Sequence, residues 1–156
     1  MSVRTVASFV AGWDKQVSCP NQVTPAVRDV LRSTILQMDP IGSTWGTQPL
    51  WRAPVQSSRW GWNVTAAQQV LAPTLIIRGD LDTTVPELQP RQLLNDLTST
   101  PRKVFVHVAC AAHQMVWENQ HMVLLRASAE WLRDGTFGGQ QSGAFFVDSQ
   151  QQVHVE

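Results

Sequence analysis

The sequence contains no tyrosine, although it has seven tryptophans and five phenylalanines. It has no surplus of either charge: 12 lysines and arginines balance 12 aspartates and glutamates. These charges are dispersed, so no local basic excess exists of the kind that binds nucleic acid or an anionic membrane surface. No apolar run approaches the roughly 20 residues that a membrane-spanning helix requires. The first ten residues lack a basic stretch leading into an unbroken apolar segment, and so do not read as a secretory leader. Cysteine is scarce as well. Cys19 and Cys110 stand far apart and outside any metal-binding spacing. Two such residues are expected to be free thiols in a reducing compartment, with Cys110 acting as a small buried apolar residue. A reactive thiol at Cys110 is the alternative. These absences give the expectation of a soluble, cytoplasmic protein with neither nucleic-acid nor membrane partners.

What remains suits an ordinary globular chain: 156 residues, 43% hydrophobic and 15% charged, enough for one domain that buries roughly 70% of its unfolded surface. Three zones differ in composition. In residues 1–68, Val6, Phe9, Val10 and Trp13 have helical spacing, and no clear strand is evident. Thr24-Pro25 reads as an N-cap followed by proline in the first turn. The helix it opens carries Val27, Val30, Leu31, Ile35 and Met38 on one side and stops before Pro40. Residues 41–63 hold three glycines, two prolines and four tryptophans (Trp45, Trp51, Trp60, Trp62), a loop-rich composition.

Residues 69–139 alternate strand and helix. Thr74-Leu75-Ile76-Ile77 is a short, largely β-branched run that suits a strand buried on both faces of a parallel sheet. A helix over 86–97 follows, with Pro90 either in its first turn or separating two pieces. Lys103 to Ala109 reads as a second strand, and His121 to Arg133 as a helix stopped by Gly135. This order implies a right-handed parallel strand–helix unit. The remaining residues, 140–156, are polar around two short runs, 144–147 and 152–155, which fit either a hairpin or a flexible tail.

Functional groups in open parallel sheets gather just beyond the carboxyl ends of strands. Here the first strand leads into Gly79-Asp80-Leu81-Asp82-Thr83-Thr84-Val85-Pro86, and the second into Ala109-Cys110-Ala111-Ala112-His113. Asp82 and His113, at adjacent strand ends, are in position to meet. A carboxylate that accepts the histidine Nδ1 proton fixes the ring's tautomer and leaves Nε2 to act as a base. Asp80 reads as a solvated turn residue, and His107, His121 and His154 as structural.

An apolar strand, then G-x-x-D and a nearby proline, then a strand ending in a histidine, resembles the C-terminal part of the α/β-hydrolase family, over about residues 72–135. Trp117-Glu118 after the histidine and a last helix ending in Trp131-Leu132 are similar too. The resemblance implies a partial α/β-hydrolase fold of parallel strand–helix units with a mostly helical cap over 1–68. It also implies a nucleophile–histidine–acid triad with Asp82 as acid and His113 as base, and Gly79 for the turn leaving the strand. The family commonly has glycine just before the histidine, where this chain has Ala109 and Ala112. The implied substrate is ester-like or another small apolar molecule, and no cofactor or metal is implied. Trp45, Trp51, Trp60, Trp62 and Trp117 are candidates to line an apolar substrate pocket. The family's strand–G-x-S-x-G–helix elbow does not occur: Ser43 has the wrong spacing, and Ser57-Ser58 lies in a polar stretch. The chain therefore reads as truncated or as part of a split protein, partnered by its missing N-terminal half or by itself, and inactive alone. Two alternatives stand beside this. One is a non-catalytic fragment or partner subunit. The other is a Mg²⁺-dependent phosphatase of the haloacid-dehalogenase type, suggested by the D-x-D-x-T pattern of Asp80 to Thr84.

Overall fold

A computed structural model of the chain describes residues 2–38, 50–53 and 63–156. Strand β1 (Ser2–Thr5) runs directly into helix α1 (Val6–Asp14). Thr5 marks the change, because its side-chain oxygen accepts the Ser8 amide at 3.0 Å and satisfies one of the helix's free donors. Helix α2 (Pro25–Met38) opens on the proline, whose missing N–H costs nothing in the first turn. Val10, Trp13 and Leu31 are buried between these two helices, with Phe9, Val17, Val23 and Val27 packed around them. Strand β2 (Leu50–Ala53) pairs antiparallel with β1. This corrects the expectation that residues 1–68 hold no strand. Four-residue strands are too short for period-two alternation to stand out, and these two meet only across a long sequence separation.

A single helical turn α3 (Val64–Ala67), capped by Asn63, precedes the main sheet. The elements that follow are β3 (Thr74–Gly79), α4 (Leu88–Asp96), β4 (Lys103–Val108), a short 3₁₀ turn (Met115–Trp117), α5 (His121–Asp134), β5 (Gly143–Val147) and β6 (Val153–Val155). Pro90 lies in the first turn of α4, where its ring is tolerated. Helix α5 ends at Gly135 in the left-handed conformation (φ 67°), whose amide returns to the Trp131 carbonyl.

The sheet order is β3-β4-β5-β6. The first three strands are parallel and β6 is antiparallel to β5, so the architecture is α/β with a mixed four-stranded sheet. Val104, Val106 and Val108 of β4 share one face with Phe145 and Val147 of β5, and Val123 and Ala127 of α5 cover it. On the other face Phe105 is fully buried, with the Arg91 guanidinium of α4 5.0 Å from its ring centre. Residues 140–156 are therefore not a flexible tail. The hairpin forms, and its first strand joins the main sheet beside β4. Among the described residues β3 is paired on one side only.

Cys19 and Cys110 form a disulfide (Cα–Cα 5.5 Å), which overturns the expectation of two free thiols and of a reactive Cys110. The bond closes a sequence separation of 91 residues, and such a cross-link removes about 4–5 kcal/mol of unfolded-chain entropy in the simplest model. Cys110→Ser, or unfolding in the presence of dithiothreitol, is expected to lower stability by up to that amount in urea titrations. Equal midpoints with and without reductant would show that the bond contributes nothing.

The β5–β6 turn makes a separate claim. Asp148 Oδ1 accepts the Gln150 and Gln152 amides at 2.9 and 2.8 Å, and its Oδ2 lies 2.9 Å from His154 Nε2. The His154 hydrogen bond, then the Gln152 amide, hold the Asp148 carboxyl below its ordinary range. A lowered folded-state value contributes stability that is complete above the unfolded pKa of about 3.9 and is lost as pH falls through the lower folded value. Protection of the Gln152 amide, measured as its exchange rate relative to an unstructured amide at the same pH, should therefore fall only under acid conditions, and Asp148→Asn should abolish that pH dependence. An unchanged acid profile in the variant would refute this.

Candidate active site

The loops that leave β3 and β4 are stitched together through their backbones. The Asp80 amide donates to the Val108 carbonyl and the Leu81 amide to the Ala111 carbonyl, both at 2.9 Å. Asp80 Oδ1 accepts the Ala111 amide at 3.3 Å. Gly79 sits where the loops come closest. A Cβ built on it would lie 2.2 Å from the Ala111 carbonyl oxygen and 2.9 Å from the Ala112 nitrogen. Gly79 is not among the glycines with positive φ. Its role is close backbone approach rather than the tight turn expected of it.

Asp82 is buried, and each of its oxygens has a task. Oδ1 accepts the Thr84 and Val85 amides at 2.8 and 2.9 Å, a local turn that fixes the side chain. Oδ2 lies 3.0 Å from His113 Nδ1. Arg78, also buried, holds the same loop by donating to the Asp82 carbonyl at 3.0 Å and the Val85 carbonyl at 3.2 Å. Its remaining nitrogen is 3.0 Å from His107 Nε2. A guanidinium only donates, so His107 Nε2 is the acceptor and its ring proton sits on Nδ1, facing Glu156 Oε1 at 3.4 Å. His121 Nδ1 is 2.7 Å from the Glu118 carbonyl, and His154 belongs to the Asp148 turn.

The histidine loop is shaped by two features. Cys110 adopts the left-handed conformation (φ 54°), unusual for a residue with a side chain; its disulfide fixes the loop at that point. Further on, the Ala112 amide donates to Glu118 Oε2 at 2.8 Å. Glu118 is 1% exposed and also accepts from Trp13 Nε1 (2.8 Å) and Gln22 Nε2 (3.2 Å). His113 itself is 40% exposed at its side chain, and its Nε2 has no hydrogen-bond partner among the described residues.

A cavity of about 890 Å³ opens beside the pair, lined by Asp82 and His113 and by aliphatic groups including Ile76, Ile77, Val85, Leu93 and Leu124. That is within the size range of small-molecule pockets. Of the tryptophans proposed for such a pocket, only Trp117 has a described side chain, and it is not in the lining. Trp117 is 38% exposed and absent from the lining, whereas Met115 and Val116 of the same turn are present. With three residues per turn, Trp117 points elsewhere than Met115. Trp45, Trp60 and Trp62 lie outside the described residues, and Trp51 is described only through its backbone in β2. Ser43, Ser57 and Ser58 are also outside. Cys110 is consumed by its disulfide and offers no thiolate. Asp80 and Asp82 engage different partners, and among the described residues no group of three or more His, Cys, Asp or Glu side chains is placed to hold a metal ion.

Sequence reasoning missed the parts that hold the pair: Arg78 beneath the acid loop, Glu118 beneath the histidine loop, and Gln22 and Trp13 behind Glu118. The only signal available for Glu118 was its place just after Trp117. Compared with protein-family models, curated protein sequences and solved structures, the chain matches none.

Gly79→Ala tests the frame. Its Cβ would overlap the Ala111 backbone, so the loops must separate, at a cost of about 1–3 kcal/mol or more. Urea unfolding should show that loss, and NMR should show the His113 and Thr84 amides displaced. A variant of unchanged stability and unchanged spectrum would mean that the loops do not pack as described.

Proposed function

We propose that the chain carries the acid–base half of an α/β-hydrolase-type triad, with Asp82 orienting His113 for hydrolysis of an ester-like or other small apolar substrate. The observation that carries this is the 3.0 Å contact between Asp82 Oδ2 and His113 Nδ1, on a histidine that borders a largely aliphatic cavity. With the Nδ1 proton held by the carboxylate, Nε2 bears the free lone pair. It would take the proton of an attacking hydroxyl, return it to the leaving group, and then repeat the cycle with water. Because the two Asp82 oxygens serve backbone amides and His113, this reading is favoured over a metal-dependent phosphatase. In this reading the nucleophile is not supplied by this chain and comes from another polypeptide. The edge of β3 that is unpaired among the described residues is where a further strand would join.

No helix among the described residues is long and apolar enough to cross a membrane. The expectation of a cytoplasmic location draws on free thiols as well as on the lack of a visible leader or membrane-length run. The disulfide instead favours an oxidising compartment.

Affinity labelling tests the half-site without needing the nucleophile. An apolar aryl chloromethyl ketone alkylates a neutral imidazole nitrogen with loss of chloride. Peptide mapping should find His113 modified before His154, and Asp82→Asn should slow it. Exposure alone gives the opposite order, since the side chain of His154 is 55% exposed against 40% for His113. Reaction in the order of exposure, unaffected by Asp82→Asn, would defeat the proposal. The purified chain should hydrolyse short-chain aryl esters no faster than background. Turnover abolished by His113→Ala would instead place a nucleophile within the chain, with Ser43 the first residue to replace.

A further inference from the structure

The connection between α1 and α2 passes over the loops that carry Asp82 and His113, and one side chain in it reaches both. Gln16 Oε1 accepts the Thr83 amide at 3.3 Å and the His113 amide at 3.4 Å. Gln16 Nε2 donates to Thr84 Oγ1 at 3.4 Å. Both backbone partners of the oxygen are donors, which settles which end of the amide faces the loops. Thr83 follows Asp82 directly, so the two bonds tie together the backbone positions from which the acid and the base project.

Gln16 is in turn held from behind. Gln22, 3% exposed, donates from Nε2 to the Gln16 carbonyl at 3.3 Å. Its Oε1 accepts the Ser18 and Cys19 amides at 3.0 and 3.3 Å. Cys19 is covalently bound to Cys110 in the histidine loop. The clamp therefore begins and ends on the loop it steadies.

We propose that Gln16 is a positioning residue for the Asp82–His113 pair, fixing the separation of their backbones so that the Nδ1 proton stays on Oδ2. This rests on reading the two as an acid–base pair. Gln16 is hydrogen-bonded to neither the imidazole ring nor the Asp82 carboxylate, so its influence is geometric. The margin is small, because a drift of about half an ångström takes a 3.0 Å contact out of hydrogen-bonding range. Freed from the carboxylate, the ring would redistribute its proton between Nδ1 and Nε2, since the hydrogen bond made by one nitrogen selects the tautomer. A protonated Nε2 has no lone pair with which to act as a base.

Long-range ¹H–¹⁵N spectra of the full chain read this tautomer directly, at about pH 8, above the ordinary histidine pKa of about 6.5. The wild-type His113 ring is expected to be mainly the Nδ1–H form, and Asp82→Asn to remove that bias. Gln16→Met keeps length and removes the acceptor. It should lower the Nδ1–H to Nε2–H ratio about five-fold, the scale of one lost hydrogen bond. Gln16→Glu should restore the ratio, because a carboxylate oxygen accepts the same two amides. Gln16→Ala serves as a second deletion, and near-UV spectra identify the folded variants to be compared. If Asp82→Asn removes the bias and both deletions leave it intact, Gln16 has no positioning role while the acid–base pair stands. If Asp82→Asn itself changes nothing, the pair fails and Gln16 with it.

Discussion

Glu118 is a carboxylate placed almost wholly out of water, at 1% exposure, where an unsatisfied charge costs several kcal/mol. Its three donors come from three parts of the chain: the indole N–H of Trp13 in α1, the side-chain amide of Gln22, and the backbone amide of Ala112 beside His113. The short turn of Met115–Trp117 delivers the acid to this point. Each donor is held because the carboxylate requires it, and the carboxylate is tolerated because all three are present. The paired helices α1 and α2 are thereby registered against the loop that carries the histidine. Without that registration neither the disulfide nor the side chains of residues 15–22 would meet their partners.

The neighbouring acid loop is held by different means. Arg78 grips its carbonyls, Asp82 folds back onto Thr84 and Val85, and the absence of a side chain at Gly79 lets the two loops share backbone hydrogen bonds. Both loops rise from adjacent parallel strands that pair through Gly79 and Val108, the last residues of each. A rigid sheet end thus fixes where the loops start, and polar contacts fix where they go. The 3.0 Å contact between Asp82 and His113 rests on this frame.

Much of this was legible where the signal is local. The periodicity of Val123, Ala127 and Trp131, the β-branched run at Thr74–Ile77, the start at Pro25 and the stop at Gly135 locate α5, β3 and one end each of two helices to within a few residues. Asp82 and His113 could be paired because neighbouring strands in a parallel sheet bring their carboxyl ends together. Features set by distant neighbours were not legible. Cys19 and Cys110 carry no sign of their bond, since only the tertiary fold brings residues 91 positions apart together. Glu118 looks like any surface acid until three donors surround it. Gly143 to Val147 sits in a polar stretch, yet its Phe145 and Val147 complete the hydrophobic face begun by β4. Gly79 looks like a turn residue, because nothing nearby in sequence reveals the Ala111 carbonyl above it.

The separations across the Glu118 site also set an order of events during biosynthesis. Trp13 precedes Glu118 by 105 residues, and Cys19 precedes Cys110 by 91. A ribosome adding about 5–20 residues each second needs at least several seconds to supply the second member of either pair. Throughout that interval the Trp13 indole lacks its acceptor and Cys19 remains an unpartnered thiol. The nascent N-terminal helices must therefore wait, with Cys19 open to any oxidant or disulfide-bearing protein nearby, until the C-terminal sheet arrives to receive them.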